Sequence, residues 1–222
     1  MTDYVNWILD FDDTLAVGPM TWAIETLLPE FMQAHKLTID PALRGSAILR
    51  AQAFAARDDA NIAQLIDGFV AEVGWKDAEV LKADLQSRVE SGFTYRLFDD
   101  ALPFLQQLAQ MGRRVLIMSN NSRAPQLAVE LDITYYVQRV LTPDLCFGCS
   151  RKPDRSMFDY VRNLEPGLQI DNTIVVGDDP WSEAAFATNC GLPCIILDRR
   201  ERYKNLPLPA NTRRIRSLRD LM

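Results

Sequence analysis

Short runs of β-branched and aliphatic residues at 5–9, 115–118, 173–176 and 194–197 constrain this chain most, because the last three alternate with stretches of helical period. Runs that are apolar throughout, rather than at every second residue, suit strands covered on both faces, which is the condition of a parallel sheet. The pattern predicts an α/β fold: a doubly wound, Rossmann-like parallel sheet with helices at 101–111 closed by Gly112, 125–131, 156–164 and 181–190. Asp154 or Arg155 stands near the start of the third of these helices and Pro180 before the fourth, where the missing proline N–H costs nothing. A last strand at 213–215 and a short helix from Ser217 complete the pattern.

Between Leu15 and Phe98 the strand signal vanishes. Ile62, Leu65, Ile66, Phe69, Val70 and Val73 fall on one helical face, and Ile24, Leu27, Leu28, Phe31, Met32 and His35 repeat the spacing, with Pro29 set to kink or restart that helix. Two more helices are expected at 41–56 and 77–89. The organisation is therefore a catalytic-type core of residues 1–15 and 99–222, with an α-helical cap of residues 16–98 inserted after the first strand. An insert leaving the carboxyl end of that strand departs from the sheet edge where open α/β sheets bind ligands, which is the position of a lid.

Composition narrows the function. A formal net charge of −6 disfavours a general nucleic-acid binder, whose affinity comes from clustered Lys and Arg. No apolar run approaches the roughly 20 residues that span a bilayer, and the N-terminus lacks a secretory pattern, so the expectation is a cytoplasmic protein without membrane partners. Cys146, Cys149, Cys190 and Cys194 include a C-x-x-C and a C-x-x-x-C, which raises a four-thiolate zinc site; free thiols in a reducing compartment are the favoured reading.

The chemistry is concentrated at the ends of the apolar runs. Asp10-Phe11-Asp12-Asp13-Thr14 closes the first and places two carboxylates at i and i+2, on one side of an extended chain. Met118-Ser119-Asn120 closes the second, Arg151-Lys152-Pro153-Asp154 precedes a helix, and Val176-Gly177-Asp178-Asp179 closes the third, with Glu183 following. Any one of these segments alone is an ordinary turn or cap. Their order and their uniform placement at strand ends and before helices give them weight.

Together the four segments resemble the signature motifs of the haloacid dehalogenase superfamily, most of whose members are phosphatases, and the insert after the first motif resembles the helical cap of its phosphoglycolate phosphatase-like and haloacid dehalogenase-like branch. The resemblance implies that Asp10 attacks phosphorus to form an aspartyl-phosphate while Asp12 protonates the leaving oxygen and later accepts a proton from water. It implies Mg²⁺ held by the side chains of Asp10 and Asp178 and the main-chain carbonyl of Asp12, with Asp179 or Glu183 orienting the metal's waters or Lys152. Ser119 and Asn120 would donate to phosphate oxygens, Lys152 would steady the nucleophile and the developing charge, and the Thr14 hydroxyl would tie the first loop in place. Asp13 stands where family members most often have glycine.

Other residues carry less. His35, the sole histidine, continues an apolar stripe and reads as packing in the cap. Arg199, Arg200 and Arg202 read as a solvated charged run, and Arg50 and Arg57 as possible contacts to an anionic substrate tail. The expected function is a Mg²⁺-dependent phosphatase of a small phosphorylated metabolite, in a monomer or weak homodimer. The presence of Asp12 favours phosphoryl chemistry over dehalogenation, because a departing halide needs no proton. A phosphomutase or phosphotransferase, in which a hydroxyl replaces water, and a non-catalytic phosphometabolite sensor are the alternatives.

Overall fold

A computed structural model of the protein describes residues 4–55, 62–76 and 78–222. The chain divides into two compact units, Met1–Val17 with Tyr95–Met222, and Gly18–Thr94. The first is a six-stranded sheet of β1 (Asn6–Leu9), β2 (Arg114–Met118), β3 (Arg139–Leu141), β4 (Thr173–Gly177), β5 (Cys194–Leu197) and β6 (Thr212–Ile215), in the order β3-β2-β1-β4-β5-β6 with every neighbouring pair parallel. The strand order reverses between β1 and β4, which opens the crevice at the carboxyl ends where α/β sheets take ligands.

The apolar runs become strands because consecutive residues enter two different cores. Trp7 and Leu9 of β1, Val115 and Ile117 of β2, and Ile174 and Val176 of β4 pack on one face of the sheet, with Phe104, Leu105 and Leu127 from the helices covering it. Ile8, Leu116, Met118 and Val175 pack on the other, with Met157, Phe158 and Phe186. Both faces are thus dry, as the continuous apolar runs require.

Helices α6 (Ala101–Gln110), α7 (Ala124–Glu130), α8 (Ser156–Leu164) and α9 (Ala185–Cys190) lie within a residue or two of their predicted bounds, except that α9 begins as a π turn over Pro180–Ala184. Gly112 ends α6 at φ +65°, and the Arg113 N–H reaches the Leu108 carbonyl at 2.8 Å, closing the helix end as a left-handed glycine permits. The final short helix, Leu218–Leu221, is 3₁₀. Strand β3 is absent from the sequence reading: it has three residues, of which only Leu141 is buried, so no apolar run marks it.

Among the described residues, the elements of the second unit are all helical. The unit contains α1 (Pro19–Trp22), a π turn over Ala23–Leu27, α2 (Leu28–His35), α3 (Pro41–Ala55), α4 (Ile62–Val73) and α5 (Ala78–Gly92). Pro29 restarts the helix as predicted: it occupies the first turn of α2, directly after the wider π turn. Leu27, Phe31, Ile66, Val70, Leu81 and Leu85 form one apolar cluster, and Leu28, Ala47, Phe69 and Val73 a second. His35 belongs to this packing, its ring 4.5 Å from that of Phe31 and its Nε2 2.7 Å from Asp84.

The unit boundaries fall inside the predicted 15/16 and 98/99. The Val17 N–H bonds the Arg96 carbonyl at 2.9 Å and the Phe98 N–H bonds the Leu15 carbonyl at 3.0 Å, so the outgoing and returning segments pair with each other and stay with the sheet. No described helix is long and apolar enough to cross a membrane. All four cysteines are free, and the one group of three or more potential metal ligands among the described residues is carboxylate, not thiolate, so the zinc reading has no support. Burial pushes the Cys146 thiol up to about 11 and the Cys190 thiol up to about 12, as apolar surroundings disfavour thiolates.

Candidate active site

Asp10 follows β1, and its N–H extends the ladder to the Val176 carbonyl at 2.9 Å, which fixes the direction of the carboxylate at the strand end. The chain then turns sharply: the Leu15 and Ala16 N–H groups both bond the Phe11 carbonyl, and the Asp13 N–H bonds the Ala16 carbonyl at 2.7 Å. Asp13 takes a left-handed conformation, φ +59°, which aspartate tolerates better than most residues and which accounts for glycine being the usual occupant in the resembling family.

Lys152 reaches this point from a different loop. Its Nζ donates to Asp10 Oδ1 at 2.6 Å and to Glu183 Oε1 at 2.7 Å, and all three side chains are buried. Asn120 holds the lysine's backbone from both sides, donating from Nδ2 to the Lys152 carbonyl at 3.0 Å and accepting the Lys152 N–H on Oδ1 at 2.7 Å. The Asn120 side chain is therefore a clamp on the lysine loop. Ser119 is buried at the end of β2, and its Oγ accepts the Asn121 N–H at 3.1 Å, which leaves the hydroxyl hydrogen to donate.

Glu183, on the π turn, takes the role left open between it and Asp179. Its Oε1 holds Lys152 and its Oε2 accepts the Asp179 N–H at 3.0 Å, whereas the Asp179 side chain caps the turn by accepting the Trp181 N–H at 2.8 Å. Gly177 makes this possible, since a Cβ there would lie 2.0 Å from the Glu183 Cγ. Thr14 departs from expectation. Its hydroxyl is buried without a partner, and the loop is tied instead through its carbonyl, which accepts from Arg199 at 3.0 Å.

Carboxylate oxygens of Asp10, Asp178 and Glu183 all lie within 4.8 Å of one another. Burial pushes the Asp10 carboxyl up to about 7, with Lys152 opposing and Glu183 and Asp12 adding to the rise. Asp178 is held well above the usual carboxylate range by burial, then by repulsion from Asp13, Glu183 and Asp10. Burial works against the Lys152 ammonium, but Asp10 and Glu183 outweigh it and raise its pKa. One buried ammonium among these acids leaves negative charge uncompensated, and hard oxygen donors in such a cluster fit Mg²⁺. Asp12 stands apart from the cluster through its side chain: Oδ2 accepts from Asn121 Nδ2 at 2.9 Å, Oδ1 is buried without a partner, and burial raises its pKa against the bonds from Asn121 and Tyr95.

Several contributors escaped the sequence reading. Arg199 and Arg202 are not a solvated run. Arg199 makes a two-point ion pair with buried Asp100, at 2.7 and 2.8 Å, and stacks 4.0 Å over Phe98, while Arg202 donates to Asp178 at 3.1 Å. Their position just past the carboxyl end of β5 was the available signal, because that edge of the sheet carries the site. Tyr95 and Asn121 carry no motif, and nothing in their spacing marks them. Arg50 pairs with Glu72 at 2.9 Å in the helical unit, and Arg57 lies outside the described residues.

Residues 8–191 match the family model of the haloacid dehalogenase-like hydrolases. Solved structures share the fold across nearly the full length. YfnB of Bacillus subtilis, assigned as a HAD-hydrolase and solved with magnesium bound, is 17% identical with a TM-score of 0.68 over 99% of this chain and 97% of its own. A predicted phosphoglycolate phosphatase from Haemophilus somnus 129PT is 16% identical with a TM-score of 0.64 over 100% and 97%. A 2-haloacid dehalogenase from Pseudomonas syringae pv. tomato DC3000 is 21% identical with a TM-score of 0.58 over 98% and 96%. No curated protein matches the chain. The family model, which covers most of the sequence, together with the convergence of Asp10, Lys152, Asp178 and Glu183 at one sheet edge, establishes that the chain belongs to the haloacid dehalogenase-like hydrolases.

Proposed function

We propose that this protein is a Mg²⁺-dependent phosphatase that hydrolyses a small phosphorylated metabolite through an aspartyl-phosphate. The observation that carries the reading is the second carboxylate, Asp12, which stands half-buried two residues from Asp10, with Oδ2 held by Asn121 and Oδ1 without a partner. Expulsion of an alkoxide needs a proton donor at the leaving oxygen, and expulsion of a halide does not. Retaining a desolvated acid two residues from the nucleophile has a use in the first reaction and none in the second.

In this reading the Asp10 carboxylate attacks phosphorus, kept oriented by the Lys152 ammonium on its Oδ1. Asp12 passes its proton to the departing oxygen, then draws a proton from the water that cleaves the phospho-aspartate. The Ser119 hydroxyl donates to a non-bridging phosphate oxygen, and Glu183 keeps Lys152 in place. Asp10, Asp178 and the Asp12 main-chain oxygen would hold Mg²⁺, which would supply the positive charge that lets one anion approach another.

The test is phosphate release from p-nitrophenyl phosphate and a panel of small phosphate esters, with Mg²⁺ and with EDTA. Metal-dependent turnover that falls by about 10³-fold or more in Asp10→Asn supports the proposal. Silence toward every ester, or turnover indifferent to both EDTA and Asp10→Asn, overturns it.

A further inference from the structure

We infer that Tyr95 and Asn121 are positioning residues that hold the Asp12 carboxylate in the orientation from which it serves the leaving oxygen. The inference rests on the phosphatase reading above and deepens it.

The Asn121 amide has only one orientation open to it. Its Oδ1 accepts the backbone N–H of Arg123 at 3.0 Å, and a backbone N–H can only donate, so the amide oxygen is identified and Nδ2 must face the other way. The Asn121 N–H is in turn bonded to Ser119 Oγ at 3.1 Å, which anchors the residue to the end of β2. Both Nδ2 hydrogens are then accounted for: one goes to Asp12 Oδ2 at 2.9 Å and the other to the Tyr95 hydroxyl oxygen at 2.9 Å. A phenol oxygen that accepts retains its own hydrogen. Asn121 therefore bridges Asp12 and Tyr95, and the three residues come from distant parts of the sequence.

Asp12 is held through Oδ2, which accepts the Asn121 N–H. Oδ1 is buried and has no partner. The bond from Asn121 to Oδ2 is therefore what sets the rotation of the carboxylate. Neither helper adds charge, so the pair sets direction without competing with Lys152 for Asp10.

Proton donation matters in proportion to how poor the leaving group is. With Tyr95→Phe and Asn121→Ala, kcat/KM for an alkyl phosphate should fall about 10- to 100-fold, within the range that general acids contribute. The same ratio for p-nitrophenyl phosphate, whose nitrophenolate leaves without help, should change less than about 3-fold, since kcat/KM reports the steps through the first phosphoryl transfer. Equal losses on both esters, or no loss on either, overturn the inference, because a merely structural role carries no dependence on leaving group. A second measurement does not need turnover: in crystals of the Tyr95→Phe/Asn121→Ala double variant the Asp12 carboxylate should leave the orientation it holds in crystals of the wild type. An unmoved carboxylate overturns the positioning role even if no ester is ever hydrolysed, whereas a moved carboxylate with a wild type inactive on all esters sinks the phosphatase reading alone. Tyr95→Phe removes one oxygen atom, so it keeps the kinetic arm available if Asn121→Ala does not fold.

Discussion

Lys152 in the sheet unit and Lys82 in the helical unit each bridge two carboxylates at hydrogen-bond distance, and their surroundings differ in every respect that matters. Lys152 holds Asp10 and Glu183 with all three groups out of water; Lys82 holds Asp67 at 2.9 Å and Glu79 at 3.0 Å on the surface of its unit. The contrast extends to the whole of each unit. Among the described residues, the buried ionisable side chains Asp10, Asp100, Lys152, Glu183 and Asp198 all belong to the sheet unit, and the buried polar set of the helical unit is Thr21 alone. Burying charge opposes folding unless it is paired, so a region that accumulates buried charge trades stability for chemistry. The helical unit makes no such trade and is held by apolar packing with ion pairs at its periphery.

The largest effect expected from this contrast is that of Lys152→Met. Removing the ammonium leaves Asp10 and Glu183 buried without their shared partner, which should cost about 3–5 kcal/mol of stability in urea unfolding. If the phosphatase reading holds, turnover should drop about 10³-fold as well. A variant of unchanged stability would show that the two acids simply take up protons, and the distinction between the units would lose its energetic basis.

Phe31→Ala probes the other side. Phe31 is fully buried between Trp75, 5.8 Å away, and His35, so its loss should cost about 3–5 kcal/mol through the cavity it leaves. Mg²⁺ affinity measured by titration calorimetry should stay within about two-fold of wild type, because an apolar deletion in the helical unit removes no ligand. A collapse of metal affinity would mean that the two units are not independent in energy.

The sequence was most informative where physics is local. Strands β1, β2, β4 and β5 were legible because both their faces are dry, and helix ends at Gly112 and Pro29 because those residues restrict the backbone. The site was legible at Asp10, Asp12, Lys152 and Asp178, each in a recognisable motif at a strand end or before a helix. What could not be read was pairing at long range. The choice of Glu183 over Asp179 for Lys152 depends on a π turn and on the missing Cβ of Gly177, the clamp of Asn120 on Lys152 spans loops 32 residues apart, and the Arg199–Asp100 pair joins segments 99 residues apart. Arginines in a row look solvated by composition, and only the fold shows that Arg199 meets the buried Asp100 and Arg202 the half-buried Asp178.

A smaller effect should come from pH and metal together. Asp10 ordinarily titrates near 3.8 and is pushed up to about 7 in the folded protein by burial, so between those values the folded state binds more protons than the unfolded one. Stability of the metal-free protein should therefore fall as pH rises through this window, the opposite of a salt-bridged carboxylate. Mg²⁺ needs the ionised acids, so its stabilising effect should be small at pH 5 and grow toward pH 8, reaching about 2.7 kcal/mol at a hundred-fold excess over Kd. Thermal unfolding at both pH values, with and without Mg²⁺, measures it. A Mg²⁺ effect equal at the two would show that the carboxylate cluster is not where the ion binds.

The smallest effect expected is that of Lys82→Met, the counterpart of the first substitution. Both variants remove an ammonium from between two carboxylates, so contact counting alone would rank them equal. Water decides otherwise: Asp67 and Glu79 are more than half exposed, and once the lysine is gone each recovers hydration that Asp10 and Glu183 cannot reach. The attraction lost is also screened by solvent and salt, and two long side chains regain the freedom that pairing had cost them. The urea midpoint of Lys82→Met should be indistinguishable from wild type, and raising the salt concentration should not separate them. A shift matching that of Lys152→Met would mean that pairing, rather than burial, sets the cost, and the division between the two units would have to be drawn elsewhere.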